Sequence, residues 1–378
     1  MNTFERENNS SLHLLNTTNA SASSMDPAMG LSPAGTTIYR VILPIVCTCG
    51  ILGITLTIVI LSRKHMCTST NCYLMALAVA DLLFLLLFAT ILADNQFVLY
   101  SKEYYNYTIY INYAVIFMQI FLLASIWLTV VLAMERYIAI CQPFLAAKMC
   151  TVNKARVIII LIYMFALICR MPNFWESRVV TIYDKLTNTT LTYIEATQFS
   201  INRYYMIVYP WVIDGILTSI LPFLLLFMLN VRLVWEVRKS TRYIQRNLIV
   251  EKSAANVIQR EELQITIMLI SIIIVFLTCQ APYVIYTAIV SINAFQMATV
   301  HFMLFRYITQ LLLTLKSAIN FILYCWFSEK FWTTLKKVFC IEQCLFMQKP
   351  INLDGVSQNG TSYCHLRSLN GNTRDTVL

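Results

Sequence analysis

The sequence predicts an all-α membrane protein: a bundle of seven transmembrane helices with a short amphipathic helix on its cytoplasmic surface. Three observations predict it. Hydrophobic residues make up 58% of the 378 residues and charged residues only 12%, about half the charged share of a soluble domain, roughly 25%. Seven stretches are apolar over the roughly 20 residues that a membrane-spanning helix needs. The basic residues fall in alternate connections, which is a membrane-topology signal. A net charge of +9 spread in that way points to a bilayer and away from nucleic acid.

The seven stretches run approximately Tyr39–Leu61, Cys72–Leu92, Thr108–Cys141, Ala155–Met171, Tyr205–Trp235, Leu263–Val290 and His301–Phe327. The third and fifth are long enough to tilt or to project beyond the bilayer. Helices satisfy their own backbone in lipid, and no alternating pattern suggests a barrel. No connection is long enough for a folded domain. The expected organisation is an extracellular, glycosylated tail over residues 1–37, the bundle over 38–327, a membrane-surface helix over 328–345 and a disordered cytoplasmic tail over 346–378.

Orientation follows from the loops. The first connection holds Arg63 and Lys64, the third Lys148 and Lys154, and the fifth Arg238, Lys239, Arg242, Arg246, Lys252 and Arg260. The alternate connections hold only Lys102, Arg178, Lys185 and Arg203. Excess Lys and Arg marks the cytoplasmic side, so the N-terminus is expected outside and the C-terminus inside, at the plasma membrane. Glycosylation sequons at Asn8, Asn9, Asn16, Asn19, Asn106 and Asn188 all fall on the expected outer side. The opening residues, Glu5 to Asn9, are polar. No signal peptide is evident, and the first span is expected to insert the chain by itself.

The inner ends of the helices carry motifs. The third span ends Glu135-Arg136-Tyr137, the second contains Leu77-Ala78-Val79-Ala80-Asp81-Leu82, and the fifth has Pro222 eight residues before Asn230. The sixth reads Phe276-Leu277-Thr278-Cys279-Gln280-Ala281-Pro282, and the seventh ends Asn320-Phe321-Ile322-Leu323-Tyr324. This ordered set, over roughly residues 38–345, resembles the rhodopsin-like G-protein-coupled receptors. The run Arg170-Met171-Pro172-Asn173-Phe174-Trp175-Glu176, Cys279-Gln280-Ala281-Pro282 and Phe321 are similar to the invertebrate FMRFamide-type neuropeptide receptors. The resemblance implies a receptor that takes an extracellular peptide and activates a heterotrimeric G protein, with arrestin as a further partner.

Arg136 is a cation at the end of a hydrophobic helix. Either it is a snorkelling anchor, or it pairs with Glu135 and with Glu262 on the sixth helix and holds the bundle shut. Breaking such a pair makes a two-state element, with Asn230 and Tyr324 refilling the opened space. Asp81 lies mid-span, where a lone carboxylate is costly and needs a partner. The resemblance makes Asp81, Ser125, Ser317 and Asn320 a sodium site. Lys316 departs from that pattern, because relatives carry a neutral amide there. It lies one turn from Asn320 on the same face, so its ammonium is expected to replace the ion, unless it faces a separate water pocket.

Other departures concern the outer side. None of the 12 cysteines falls in an outer loop, so the disulfide that ties the third helix to the second outer loop in most relatives is expected to be absent. The helix position is near Ile111, and residues 173–204 lack cysteine. Ile54, Tyr163, Gln280 and Phe321 also replace residues usual in the family. Met118 stands where amine receptors carry aspartate, and Thr314 where opsins carry the retinal lysine, so neither a monoamine nor retinal is expected.

The ligand candidates are the polar and aromatic residues of the outer half: Asp94, Tyr113, Gln119, Asp214, Gln280, Tyr283, Tyr286, Arg306 and Gln310. Charges within spans are functional candidates, and Asp214 stands out on an apolar helix. Either it forms a structural pair with Arg306 or Arg170, or it receives a ligand cation. A peptide ending in Arg-Phe-amide would suit the second option: aspartate for the guanidinium, tyrosine for the ring and glutamine for the amide.

Beyond Phe327, Phe331, Leu335, Val338 and Phe339 share one helical face, as in an interfacial helix. Cys340 and Cys344 then lie where palmitoylation is plausible, unmodified thiols being the alternative. The terminal Thr376-Val377-Leu378 resembles a strand-adding PDZ ligand. No catalytic set, metal site or cofactor is expected, because Asp81, Ser125 and Lys316 sit mid-bilayer without substrate access. The rivals are a ligand-independent seven-helix partner or scaffold, and a transporter, for which the paired half-repeats are missing.

Overall fold

The computed structural model describes residues 33–97, 104–184, 189–247, 254–292 and 300–338. Seven helices in it are long and apolar enough to cross a membrane. Helix α1 spans Pro33–Leu61, α2 Ser69–Phe97, α3 Tyr104–Cys141 and α4 Val152–Arg170. Helix α5 begins as Arg203–Tyr209, widens into a π-helix over Pro210–Ile220 and continues as Leu221–Asn247. Helix α6 spans Ala254–Ile292, α7 Val300–Phe327 and α8 Glu329–Val338. Each of the seven spanning helices matches an expected apolar stretch and overruns it at one end or both, although α4 stops one residue short of Met171. Hydropathy stops where charge begins, whereas the backbone ladder runs on.

Two widened turns have a common cause. A π-turn at Ile38–Ile42 precedes Pro44, and the long one at Pro210–Ile220 precedes Pro222. Proline lacks an N–H and clashes with the preceding turn, and an i→i+5 register relieves both. In that register Pro222 would have donated to Leu217. The Trp127 indole N–H donates to the Leu217 carbonyl instead, at 3.1 Å. The widening also places Thr218 so that its hydroxyl donates to Ile213 O at 2.7 Å.

The bundle closes through small residues. A Cβ added at Gly50 would stand 2.8 Å from Leu85 Cδ1 and 3.0 Å from Ala318 Cβ, and one at Gly53 would stand 3.1 Å from Phe321 Cβ. The backbones of α1 and α7 therefore approach closely only because both positions lack a side chain. Phe321 fills that space. Tyr163 donates to Ala76 O at 2.8 Å and ties α4 to α2.

Between α4 and α5 lies an antiparallel hairpin, β1 Ser177–Asp184 and β2 Thr189–Ala196, with Ser177 opposite Ala196. Its strands are rich in Val, Ile, Thr and Tyr, the residues that favour a pleated, half-buried surface. Helix α8 follows α7 after a single residue, Ser328. Phe331 and Leu335 are buried, and Phe331 packs on the rings of Tyr324 and Phe321 at 5.6 and 6.1 Å. Part of its apolar face, Phe331 and Leu335, thus packs on the bundle.

Candidate functional site

Three polar clusters lie along the axis of the bundle. The first is near the hairpin end. Arg170, at the last turn of α4, has a side chain 3% exposed. Its guanidinium meets Asp214 Oδ1 of α5 at 2.7 Å, and it donates to Thr218 Oγ1 at 3.1 Å and Gln119 Oε1 at 3.4 Å. Gln119 Oε1 also accepts from Asn173 Nδ2 at 3.2 Å. The Tyr209 hydroxyl donates to Asn173 Oδ1, and also to Cys169 O at 2.9 Å. Helices α3, α4 and α5 are joined here by one polar network. Of the two partners left open for Asp214, the structure has Arg170, and Arg306 is exposed.

Asp214 remains 34% exposed, and a carboxylate accepts up to about four hydrogen bonds, so it keeps capacity for a further donor. Gln280 of α6 is 1% exposed and neither of its amide atoms has a partner among the described residues. Gln310 Oε1 is likewise without one. Tyr283 stacks with Tyr286, which lies against Phe302 and Phe305. Tyr113 and Phe117 pack on Phe174. The side chain of Asp94 and residue Asn188 lie outside the described residues, and Asn106 is exposed near the start of α3.

At the outer end of α3, where the family resemblance leads one to expect a disulfide, a hydrogen bond joins the helix to the hairpin. Ser177 Oγ donates to Asn112 Oδ1 at 2.7 Å, one residue from Ile111. The Glu176 carbonyl accepts from the Thr197 backbone N–H at 3.0 Å and from its hydroxyl at 3.2 Å. The nine cysteines among the described residues are free thiols. Burial pushes the Glu176 carboxyl above its usual range, Asp214 pushes it further, and Arg170 pulls it back. Asn112, Ser177, Tyr209 and Thr218 are not among the residues that the sequence singles out, whereas Asn173 and Glu176 lie in the Arg170–Glu176 run without a role assigned to them.

The second cluster is at the centre. Asp81 Oδ1 accepts from Ser125 Oγ at 2.8 Å and Ser317 Oγ at 3.1 Å, and Oδ2 accepts from Asn320 Nδ2 at 3.1 Å. Lys316 Nζ lies 4.0 Å from Asp81 Oδ1 and donates to Ser125 Oγ at 3.1 Å. The five residues expected at mid-membrane are together, and all are buried.

The third cluster is at the basic end. Arg136 and Glu135 approach to 3.6 Å, both buried, and Glu135 Oε1 accepts from Ser69 Oγ at 2.5 Å. Asn230 and Tyr324 are buried, and neither polar atom of the Asn230 side chain has a partner among the described residues. Tyr137 is half-buried. A cavity of about 380 Å³ opens beside Glu135 and Arg136, reaching Asn71, Gln264, Met268 and Lys330. The Glu262 side chain lies outside the described residues, as do Cys340, Cys344, Thr376, Leu378 and the sequons at Asn8, Asn9, Asn16 and Asn19.

The comparisons agree with this architecture. The chain is 27% identical over 343 residues to the FMRFamide receptor of Drosophila melanogaster, an alignment covering 87% of this chain and 59% of that protein's length. It is 26% identical over 367 residues to the sex peptide receptor of Drosophila melanogaster, covering 90% of this chain and 79% of that protein. It is 28% identical over 330 residues to the thyrotropin-releasing hormone receptor of Homo sapiens, covering 81% and 77%. A profile of the family described as "7 transmembrane receptor (rhodopsin family)" matches residues 53–324. The chain belongs to the rhodopsin family of seven-transmembrane receptors.

Proposed function

We propose that this receptor binds an extracellular neuropeptide at the cluster around Asp214 and passes the signal to a heterotrimeric G protein at the Arg136 end. The observation that carries the ligand site is unfilled hydrogen-bonding capacity beside the aromatic wall. Asp214 is partly exposed though paired, and Gln280 is buried with a bare amide. Buried polar atoms without partners are uncommon in native structures and call for a reason. A ligand carrying a cation, an aromatic ring and a carboxamide supplies all three complements, which suits an Arg-Phe-amide terminus. Relatives named for FMRFamide, sex peptide and thyrotropin-releasing hormone support a peptide.

In the signalling step, the ligand favours a pre-existing state in which the basic end is open. Arg136 leaves Glu135, and Asn230 and Tyr324 take up the space, as the two-state switch requires. The receptor lies in the plasma membrane with its N-terminus outside and its C-terminus inside, an orientation that the sequons and the excess of Lys and Arg in alternate connections support. Arrestin, recruited by a phosphorylated tail, palmitate on Cys340 and Cys344, and a PDZ protein at Thr376–Leu378 complete the cytoplasmic side.

The test is a panel of amidated neuropeptides on cells expressing the chain, read by calcium and cyclic AMP, with Asp214→Glu and Asp214→Ala compared for the active peptide. Potency is expected to survive in the first variant and fall in the second. Equal potency for wild type and both variants, at matched surface levels, removes Asp214 from the ligand site.

A further inference from the structure

The central cluster has a directional order. Lys316 Nζ donates to Ser125 Oγ at 3.1 Å, and Ser125 Oγ donates onward to Asp81 Oδ1 at 2.8 Å. Ser317 and Asn320 direct two more donors at the same carboxylate. A carboxylate that accepts at both oxygens while an ammonium donates into the chain is an ion pair bridged by a hydroxyl. Every partner is buried, so neither charge faces bulk solvent. The ammonium also rests over the ring of Phe276 on α6, 4.8 Å from its centroid, within cation–π range. Lys316 thus touches α2 through Asp81, α3 through Ser125 and α6 through Phe276, while belonging to α7.

We propose that the Lys316 ammonium is the permanent counter-cation of Asp81, so that this centre takes no free alkali cation, and that its seat on Phe276 couples the ion pair to the position of α6. A sodium ion placed to bond Asp81 Oδ1 and Ser125 Oγ would lie within a few ångströms of a fixed positive charge. At about 4 Å that repulsion weakens binding on the order of a thousandfold at a protein-like dielectric. Lys316 already occupies one of the two lone pairs of Ser125 Oγ, which leaves such an ion to share that oxygen with the ammonium. Removing the lysine charge reverses both conditions and exposes a latent cation site made of Asp81, Ser125, Ser317 and Asn320. The coupling to α6 rests on the receptor mechanism proposed above, whereas the exclusion of cations concerns the folded chain without any ligand.

A ligand-free measurement therefore separates the two. The full chain is purified in detergent and its thermal unfolding followed in about 150 mM sodium chloride and in choline chloride at the same ionic strength, near physiological screening. Wild type is expected to unfold at the same temperature in both. Lys316→Asn is expected to unfold a few degrees higher in sodium, as linkage requires of a ligand that binds only the folded state. A sodium-dependent rise in wild type, or none in Lys316→Asn, overturns the proposal. If Lys316→Asn does not accumulate, the pair Lys316→Met and Asp81→Asn decides. Each alone is expected to lower the yield of folded receptor, and the double variant to recover it, because an uncompensated buried charge is then gone. A double variant no better than the worse single one contradicts the ion pair. Sodium-independent unfolding with no response to any peptide would leave the cation exclusion standing and count against the receptor mechanism alone.

Discussion

The pair Arg170–Asp214 makes an asymmetric prediction. Arg170 is buried in the polar network of α3, α4 and α5, whereas Asp214 is a third exposed. Removing Asp214 strands a guanidinium in a dry site. Loss of one partner from a buried pair costs roughly 3–5 kcal/mol. Thr218 and Gln119 still accept from Arg170, so Asp214→Ala belongs at the lower end, about 3 kcal/mol. Removing Arg170 instead leaves a carboxylate that rehydrates on its open side. Arg170→Met then loses hydrogen bonds and little else, about 1–2 kcal/mol. With an unfolding entropy of roughly 2.1 cal/mol/K per residue, a chain of 378 residues shifts by little more than about 1 °C per kcal/mol, so Asp214→Ala is expected to lower the unfolding temperature by about 4 °C and Arg170→Met by about 1–3 °C. The double variant Arg170→Met with Asp214→Asn should lie near Arg170→Met alone, because the second change then removes no pair. Thermal unfolding of detergent-solubilised receptor measures all four. Equal losses for the two single variants, or a milder loss for Asp214→Ala, would refute the burial asymmetry.

Three further outcomes follow from the geometry. Gly50→Ala pushes a methyl to 2.8 Å from Leu85 and 3.0 Å from Ala318. Overpacking of that kind costs about 1–3 kcal/mol, partly offset by up to about 1 kcal/mol of helix propensity, so the unfolding temperature should fall, and a rise would show that α1 can shift. The hairpin is tethered to α3 by the hydrogen bond from Ser177 to Asn112. A membrane-impermeant reductant is therefore expected to leave unfolding temperature and peptide potency unchanged, while Asn112→Ala should cost about 1 kcal/mol; sensitivity to the reductant would contradict the tether. Glu176 has its folded pKa raised, foremost by burial, so its protonated form is the one that folding favours. Its contribution is fully present below the unfolded value of about 4.3 and is lost as pH rises through the raised folded value. Glu176→Gln should then stabilise the receptor at neutral pH and flatten its pH dependence above about 4.3, measured as unfolding temperature against pH, whereas a loss of stability at neutral pH would reverse the sign.

The seven helices were legible because lipid leaves only one economical solution for the backbone, and apolar length alone reports it. Their ends were not, because Arg238 to Asn247 continue the α5 ladder beyond the apolar stretch. The central cluster was legible from helical spacing: Lys316 and Asn320 share a face, and Asp81 required a partner. The partner of Asp214 was reduced to two arginines and no further, since contact across helices depends on how α4 and α5 are rotated. The π-helix sets that rotation, and it follows from Pro210 and Pro222 acting on a register that no hydropathy pattern records. Ser69 on Glu135, Ser177 on Asn112 and Tyr209 on Asn173 were invisible for a plainer reason. Single hydroxyls and amides carry no periodic signal and acquire meaning only when the fold sets them side by side.

The account turns on transmission between two ends of one bundle, from the Asp214 cluster to the cavity beside Arg136. Nucleotide exchange on a purified heterotrimeric G protein, by the full chain reconstituted in lipid and exposed to an amidated peptide panel, tests this most directly. At least one peptide is expected to accelerate exchange, and Arg136→Ala to abolish the acceleration while peptide binding persists. A folded, correctly inserted chain that accelerates exchange with no peptide in the panel, or one whose peptide response is untouched by Arg136→Ala, would contradict it.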